Sequence, residues 1–215
     1  MTRAETCARI EECRIVPIIR APSADLAIRA AAAILAGGIT IVEITMTVPD
    51  ARAVIRSVRE KFGSRVVIGA GTVLDGETAR ACVDAGADFI VAPGFDQGTV
   101  DAARARDVPM MPGALTPTEV ITAWKAGADM VKIFPCSALG GAKYLRALRG
   151  PLPQVKFMAT GGVNATTAAD YIAAGASALG VGAELVDTAL LTSGRDSVIT
   201  ERARELVAAV RLQES

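Results

Sequence analysis

Short apolar runs recur along this chain, and each is followed by a stretch in which apolar positions return every three or four residues. The runs fall near 15–19, 39–44, 66–69, 89–92, 109–111, 130–134, 155–159 and 178–181. The amphipathic stretches cover 24–36, 50–61, 76–85, 97–106, 117–126, 139–148, 165–174 and 196–211. Runs this apolar suit strands buried on both faces, and the stretches between them read as the helices that cover a parallel sheet. Four helical stretches end in Ala36-Gly37-Gly38, Ala85-Gly86-Ala87, Ala126-Gly127-Ala128 and Ala174-Gly175-Ala176. Glycine is the usual residue just past a helix, where the backbone turns left-handed. The signal returns at positions 36, 85, 126 and 174, every 41 to 49 residues. Each period holds two strand–helix units, which excludes the helical or propeller arrays such a period otherwise suggests.

Eight strands alternating with eight helices predict a closed α/β (βα)8 barrel with an N-terminal helix before the first strand. A doubly wound open sheet is the alternative. It is disfavoured because no GxGxxG follows the first strand and polar residues sit at nearly every strand end. Those ends read Ile19-Arg20, Glu43-Ile44-Thr45, Gly69-Ala70-Gly71-Thr72, Ala92-Pro93-Gly94, Met111-Pro112-Gly113, Lys132-Ile133-Phe134-Pro135, Ala159-Thr160-Gly161-Gly162 and Gly180-Val181-Gly182. Barrel active sites gather at this edge. No linker or shift in composition interrupts the chain, so one domain over 1–215 is expected.

Composition narrows the chemistry. The chain is 51% hydrophobic, and 23 basic residues balance 23 acidic ones. That balance argues against a nucleic-acid or membrane-surface protein. The longest apolar stretch, 30–36, is far below the roughly 20 residues that span a bilayer. No secretory h-region is visible over 1–12. Cys7, Cys13, Cys82 and Cys136 are too scattered for a CxxC motif and too few for a disulfide framework, so reduced thiols and a cytoplasmic location are expected. Histidine is absent altogether, which removes Ser-His and Cys-His nucleophile pairs, His-rich metal cages and imidazole acid–base chemistry. Proton transfer is left to carboxylates, lysine, tyrosine, cysteine or water.

Lys132 then stands out. It is one of five lysines and sits inside the apolar run Met130-Val131-Lys132-Ile133-Phe134. Desolvation penalises the ammonium, and a neutral amine is the form that attacks a carbonyl to give a Schiff base. Lys156 also lies in an apolar run, but at the amino end of its strand, where side chains serve stability. Lys61, Lys125 and Lys143 fall in helical stretches. Glu43 in Ile41-Val42-Glu43-Ile44 is enclosed in the same way, and a lysine across the barrel mouth would give it a partner or a task. Either an ion pair without chemistry or a proton-shuttling glutamate beside an imine-forming lysine satisfies that pattern. Thr160-Gly161-Gly162-Val163-Asn164 and Gly180-Val181-Gly182 form glycine-rich loops where barrels commonly bind phosphate through backbone N–H groups at a helix amino terminus.

The ordered set Glu43-Ile44-Thr45, Gly69-Ala70-Gly71-Thr72-Val73, Pro93-Gly94, Met111-Pro112-Gly113, Lys132-Ile133-Phe134-Pro135 and Ala159-Thr160-Gly161-Gly162-Val163 resembles the 2-keto-3-deoxy-6-phosphogluconate (KDPG) aldolase family. That family includes the 6-phosphogalactonate and 4-hydroxy-2-oxoglutarate (KHG) aldolases. The resemblance runs from about residue 14 to 210. It implies a homotrimeric class I aldolase without metal or other cofactor. In it Lys132 forms the imine with pyruvate and Glu43 is the general acid–base, while Thr72, Pro93, Phe134 and Thr160 shape the pyruvyl pocket. Gly161, Gly162, Gly182 and Ala183 would meet the phosphate. Two departures bear on the substrate. Thr47 stands where some members carry a carboxylate-binding arginine, and Arg20, at the first strand's end, is expected to take that role with Thr72 assisting. Ala183 stands where a serine hydroxyl commonly meets the phosphate, and Glu184 follows it.

The expected activity is retro-aldol cleavage of a 2-keto-3-deoxy-6-phospho sugar acid to pyruvate and glyceraldehyde 3-phosphate. The C4-epimeric galactonate and KHG activities are the close alternatives. Two rivals lie further off: a phosphate-binding barrel synthase that uses Lys132 only as a point charge, and an oligomeric barrel scaffold, natural or engineered, with vestigial activity.

Overall fold

A computed structural model describes residues 1–211. Helix α1 (Arg3–Cys13) precedes strand β1 (Ile15–Ile19), and then come α2 (Ala24–Ala36), β2 (Ile41–Thr45), α3 (Ala51–Phe62), β3 (Val67–Gly71), α4 (Gly76–Asp84), β4 (Phe89–Val91) and α5 (Gln97–Ala105). The second half continues with β5 (Met110–Met111), β6 (Gly113–Ala114), α6 (Pro117–Lys125), β7 (Val131–Ile133), α7 (Ala142–Arg149), β8 (Phe157–Thr160), α8 (Ala168–Ala173), β9 (Ala178–Val181), α9 (Thr188–Thr192) and α10 (Asp196–Arg211).

Every strand pairing is parallel, in the order β5-β4-β3-β2-β1-β9-β8-β7-β6. The two outermost pieces, β5 and β6, are separated in sequence only by Pro112. They are therefore one barrel strand broken at a residue with no N–H to give. The carbonyl of Pro112 still accepts from the Lys132 N–H at 2.9 Å, so the ring closes through the break. The architecture is the expected eight-stranded barrel, with its fifth strand in two parts.

The lower half of the barrel interior is apolar. Val16, Ile41, Val67, Phe89, Met111, Met130, Met158 and Ala178 fill it, and Ile10 of α1 plugs the amino end, all without solvent exposure. Burial of such side chains stabilises by roughly 1.5–3 kcal/mol each. Helix α1 is held in place by a capping box between Thr2 and Glu5 and by Arg3 donating to Asp129 at 2.8 Å. Glu11 pairs with Lys156, so that lysine is an exposed fastener of the lower rim.

The helix ends follow the glycine pattern: Gly38, Gly86, Gly127 and Gly175 all have φ between 93° and 104°. Other boundaries depart from the pattern. The helix expected over 139–148 is a 3-10 turn (Cys136–Leu139) followed by α7, because Gly140 and Gly141 both turn left-handed between them. The helix expected over 165–174 begins only at Ala168, since Asn164 Oδ1 accepts from the N–H groups of Thr166 and Thr167 and ties 164–167 into a turn. Helix α9 was not expected; Asp187 caps its first turn. No helix among the described residues is long and apolar enough to cross a membrane.

Candidate active site

Six polar or charged residues are buried among the described residues: Thr6, Glu43, Thr45, Thr99, Lys132 and Thr160. Four of them, on β2, β7 and β8, face the upper interior near the carboxyl ends of the strands. Glu43 pairs in register with Ile18 of β1 and Gly69 of β3, and Lys132 with Gly113 of β6 and Met158 of β8. Their strands stand four places apart in a ring of eight, on opposite walls. Only long side chains reach across such an interior. Lys132 is 2% exposed and Glu43 not at all.

The pair is not hydrogen-bonded: both carboxylate oxygens of Glu43 are buried without a partner, as is Thr160 Oγ1. Burial raises the Glu43 pKa above the ordinary carboxyl value, and the charges of Lys132 and Arg20 only partly oppose it. Burial likewise lowers the Lys132 pKa; Glu43 opposes that shift and Arg20 adds to it. Both changes favour neutral forms, a protonated acid facing a free amine. The Phe134 ring centroid lies 5.3 Å from Lys132 Nζ, which sits over the ring face. Cys136, two residues further on, is no competing nucleophile, since burial pushes its thiol up to about 11.

The other expected residues lie at or just past the carboxyl ends of the strands. Thr72, at the end of β3, has φ 59°, a left-handed conformation that costs a β-branched residue on the order of 1–3 kcal/mol. Pro93, at the end of β4, leaves its carbonyl against Gly113, where no side chain would fit. Thr47 is bound back into the fold, its hydroxyl 2.7 Å from that of Thr45, which itself donates to the Ile19 carbonyl at 3.0 Å. Arg20 is exposed and lines a cavity of about 350 Å³ with Gly182, Ala183 and Asp187. It therefore stands beside the loop after β9, near enough to Glu43 and Lys132 to act on both.

Gly161 and Gly162 have φ 94° and 74°. Their N–H groups, and those of Gly182 and Ala183, donate to no acceptor among the described residues. All four lie just past the ends of the neighbouring strands β8 and β9, where an anion site was expected. Its backing differs from expectation: Gly182 and Ala183 open a turn rather than a helix, because the chain does not become helical until Thr188. Glu184 lies in that turn, its carbonyl held by Arg202, and lines an outer groove with Asn164 and Glu205. Among the described residues no group of three His, Cys, Asp or Glu side chains could hold a metal ion.

A parallel barrel that buries a lysine of lowered pKa opposite a glutamate near the strand ends defines the class: an α/β-barrel lyase of the aldolase type. The chain belongs to the KDPG and KHG aldolase family, whose pattern matches residues 7–201. It is 37% identical over 171 residues to the 2-dehydro-3-deoxy-phosphogluconate aldolase of Pseudomonas aeruginosa, covering 80% of this chain and 76% of that one. It superposes with TM-score 0.85 and 30% identity on the KDPG aldolase of Legionella pneumophila solved with pyruvate captured as a covalent carbinolamine, over 94% of this chain and 97% of that one. A designed cube-shaped protein cage made by fusing symmetric oligomeric domains matches with TM-score 0.86 and 32% identity, over 94% of this chain and 73% of the designed one.

Proposed function

We propose that this protein is a class I aldolase that cleaves 2-keto-3-deoxy-6-phosphogluconate to pyruvate and glyceraldehyde 3-phosphate. The observation that carries the reading is the buried, unbonded Glu43 facing a lysine whose pKa is lowered, in a chain of this family. Lys132 Nζ adds to the C2 carbonyl of the substrate, and protonated Glu43 gives its proton to the carbinolamine hydroxyl, which departs as water to leave an iminium and a Glu43 carboxylate. The C3–C4 bond then breaks with its electron pair passing into the iminium to give an enamine, while Glu43 takes the C4 hydroxyl proton. Protonation at C3 and hydrolysis release pyruvate and return the free amine. Arg20 holds the substrate carboxylate with Thr72 assisting, Pro93, Phe134 and Thr160 enclose the pyruvyl group, and the open N–H groups of Gly161, Gly162, Gly182 and Ala183 take the phosphate.

Ala183 favours a second reading, a KHG-type aldolase on an unphosphorylated acid, because the expected phosphate site lacks a side-chain hydroxyl there. The working assembly is read as a homotrimer in the cytoplasm, in keeping with the symmetric oligomeric domains of the cage neighbour and with four free cysteines. Pyruvate with borohydride tests the chemistry: one reduced pyruvyl group per chain, located on Lys132, is expected. Label on Lys156, or no label in active enzyme, overturns the reading. Turnover on the two C4-epimeric phosphorylated acids and on KHG assigns the substrate.

A further inference from the structure

Glu43 has no hydrogen bond to fix its carboxylate, so its position depends on what packs against it. The neighbour that matters is Gly71. On β3 the residues opposite Glu43 and Thr45 are Gly69 and Gly71, and both face the barrel interior. A Cβ built on Gly71 would overlap Glu43 Oε1 and would lie 2.5 Å from the carboxyl carbon and 2.7 Å from Cγ. The glutamate therefore lies along β3 over the bare Cα of Gly71. Gly71 is a strand residue whose φ is not left-handed, so its backbone would accept any L-residue; what it supplies is space.

The arrangement recurs at the other orphaned group. Thr160 of β8 pairs in register with Gly180 of β9, where an added Cβ would overlap Thr160 Oγ1 and sit 3.1 Å from its Cβ and Cγ2. All three partnerless buried side-chain oxygens among the described residues thus belong to side chains that lean over a glycine of the following strand.

We propose that Gly71 is a positioning residue for the aldol reaction, its missing side chain setting where the Glu43 carboxylate lies relative to Lys132. The inference rests on the proton-carrying role proposed for Glu43. A double-mutant cycle on turnover, read as pyruvate release, separates the two ideas. Gly71→Ala is expected to lower kcat by about tenfold or more in the parent, since small misplacements of a reacting group are expensive. In a Glu43→Gln background the same change should alter the residual kcat by less than about twofold, because the group it displaces no longer carries protons. Equal losses in both backgrounds, or a Gly71→Ala enzyme within about twofold of the parent, overturn the inference. A fully active Glu43→Gln enzyme instead overturns the role of Glu43. Should Gly71→Ala fail to fold, Glu43→Asp is combined with it to withdraw the carboxylate by one methylene. Recovery of the fold supports the spatial relation; continued failure means that the barrel itself needs the glycine, and the inference falls.

Discussion

Glu43 and Lys132 stand on opposite walls of the barrel, and each partly offsets the desolvation of the other without touching it. Such a pair is a burden on folding. The raised Glu43 pKa costs nothing below the ordinary value of 4.5 and its full amount once the pH passes the raised value. The lowered Lys132 pKa costs its full amount below the lowered value and nothing above the ordinary 10.5. At neutral pH at least part of both costs is present. Replacing both residues with apolar ones of similar size, Glu43→Leu with Lys132→Met, should therefore stabilise the barrel by roughly 1–4 kcal/mol. For a domain of this size that is a rise in Tm of about 2–4 °C per kcal/mol, with activity abolished. A melting curve at pH 7 that is unchanged or lower would mean that the pair contributes to stability rather than to chemistry.

Glu43→Gln tests proton transfer. The amide keeps the size and the place over Gly71 but carries no exchangeable acid proton, so turnover should fall on the order of 10²-fold or more. The melting temperature should hold or rise, because a neutral amide removes a buried ionisable group. Turnover within about threefold of the parent would reduce Glu43 to packing.

Much of this site was legible before the fold was known, and the reason is local. A charge inside an apolar run, as at Glu43 and Lys132, is costly wherever the run ends up, so the sequence alone marks it. The strands read well for the same reason, and the left-handed glycines at 38, 86, 127 and 175 mark helix ends by backbone sterics. Features that depend on how distant pieces meet were hidden. Nothing in Pro112-Gly113-Ala114 announces a two-residue strand, which exists because β7 supplies partners. The strained φ of Thr72 and the lean of Glu43 over Gly71 are tertiary facts as well. The alternation Gly69-Ala70-Gly71 offered a clue to the latter, since two glycines on one face of a strand leave a groove for a neighbour.

Arg20 makes a prediction about pH. Its charge lowers the Lys132 pKa, adding to the larger effect of burial. Arg20→Met keeps much of the apolar stem and removes that charge, so the Lys132 pKa should rise. The ascending limb of kcat/KM against pH, which reports the free amine, should move to higher pH. Binding of pyruvate-derived substrates should weaken as well, by roughly 1.5–3 kcal/mol, if the guanidinium holds their carboxylate. An unmoved limb with an unchanged KM would leave Arg20 facing only the loop after β9.

The phosphate end is where residue 183 becomes decisive. The open N–H groups of Gly161, Gly162, Gly182 and Ala183 do not depend on a side chain at 183, so a phosphorylated acid should remain preferred over its unphosphorylated counterpart. Glu184 does not oppose it strongly, because it lines the outer groove beside Arg202 rather than the cavity shared by Arg20 and Ala183. Restoring a hydroxyl with Ala183→Ser adds one hydrogen bond to an anion, worth roughly 1.5–3 kcal/mol. The preference should therefore widen by about tenfold or more in specificity constant, and inorganic phosphate should become a better inhibitor of the variant than of the parent. Because Ala183 is exposed in a turn, the change should leave the melting temperature alone. Equal specificity constants for the two substrate types, unmoved by Ala183→Ser, would assign the site to an unphosphorylated hydroxy-oxo acid and leave the four N–H groups to water.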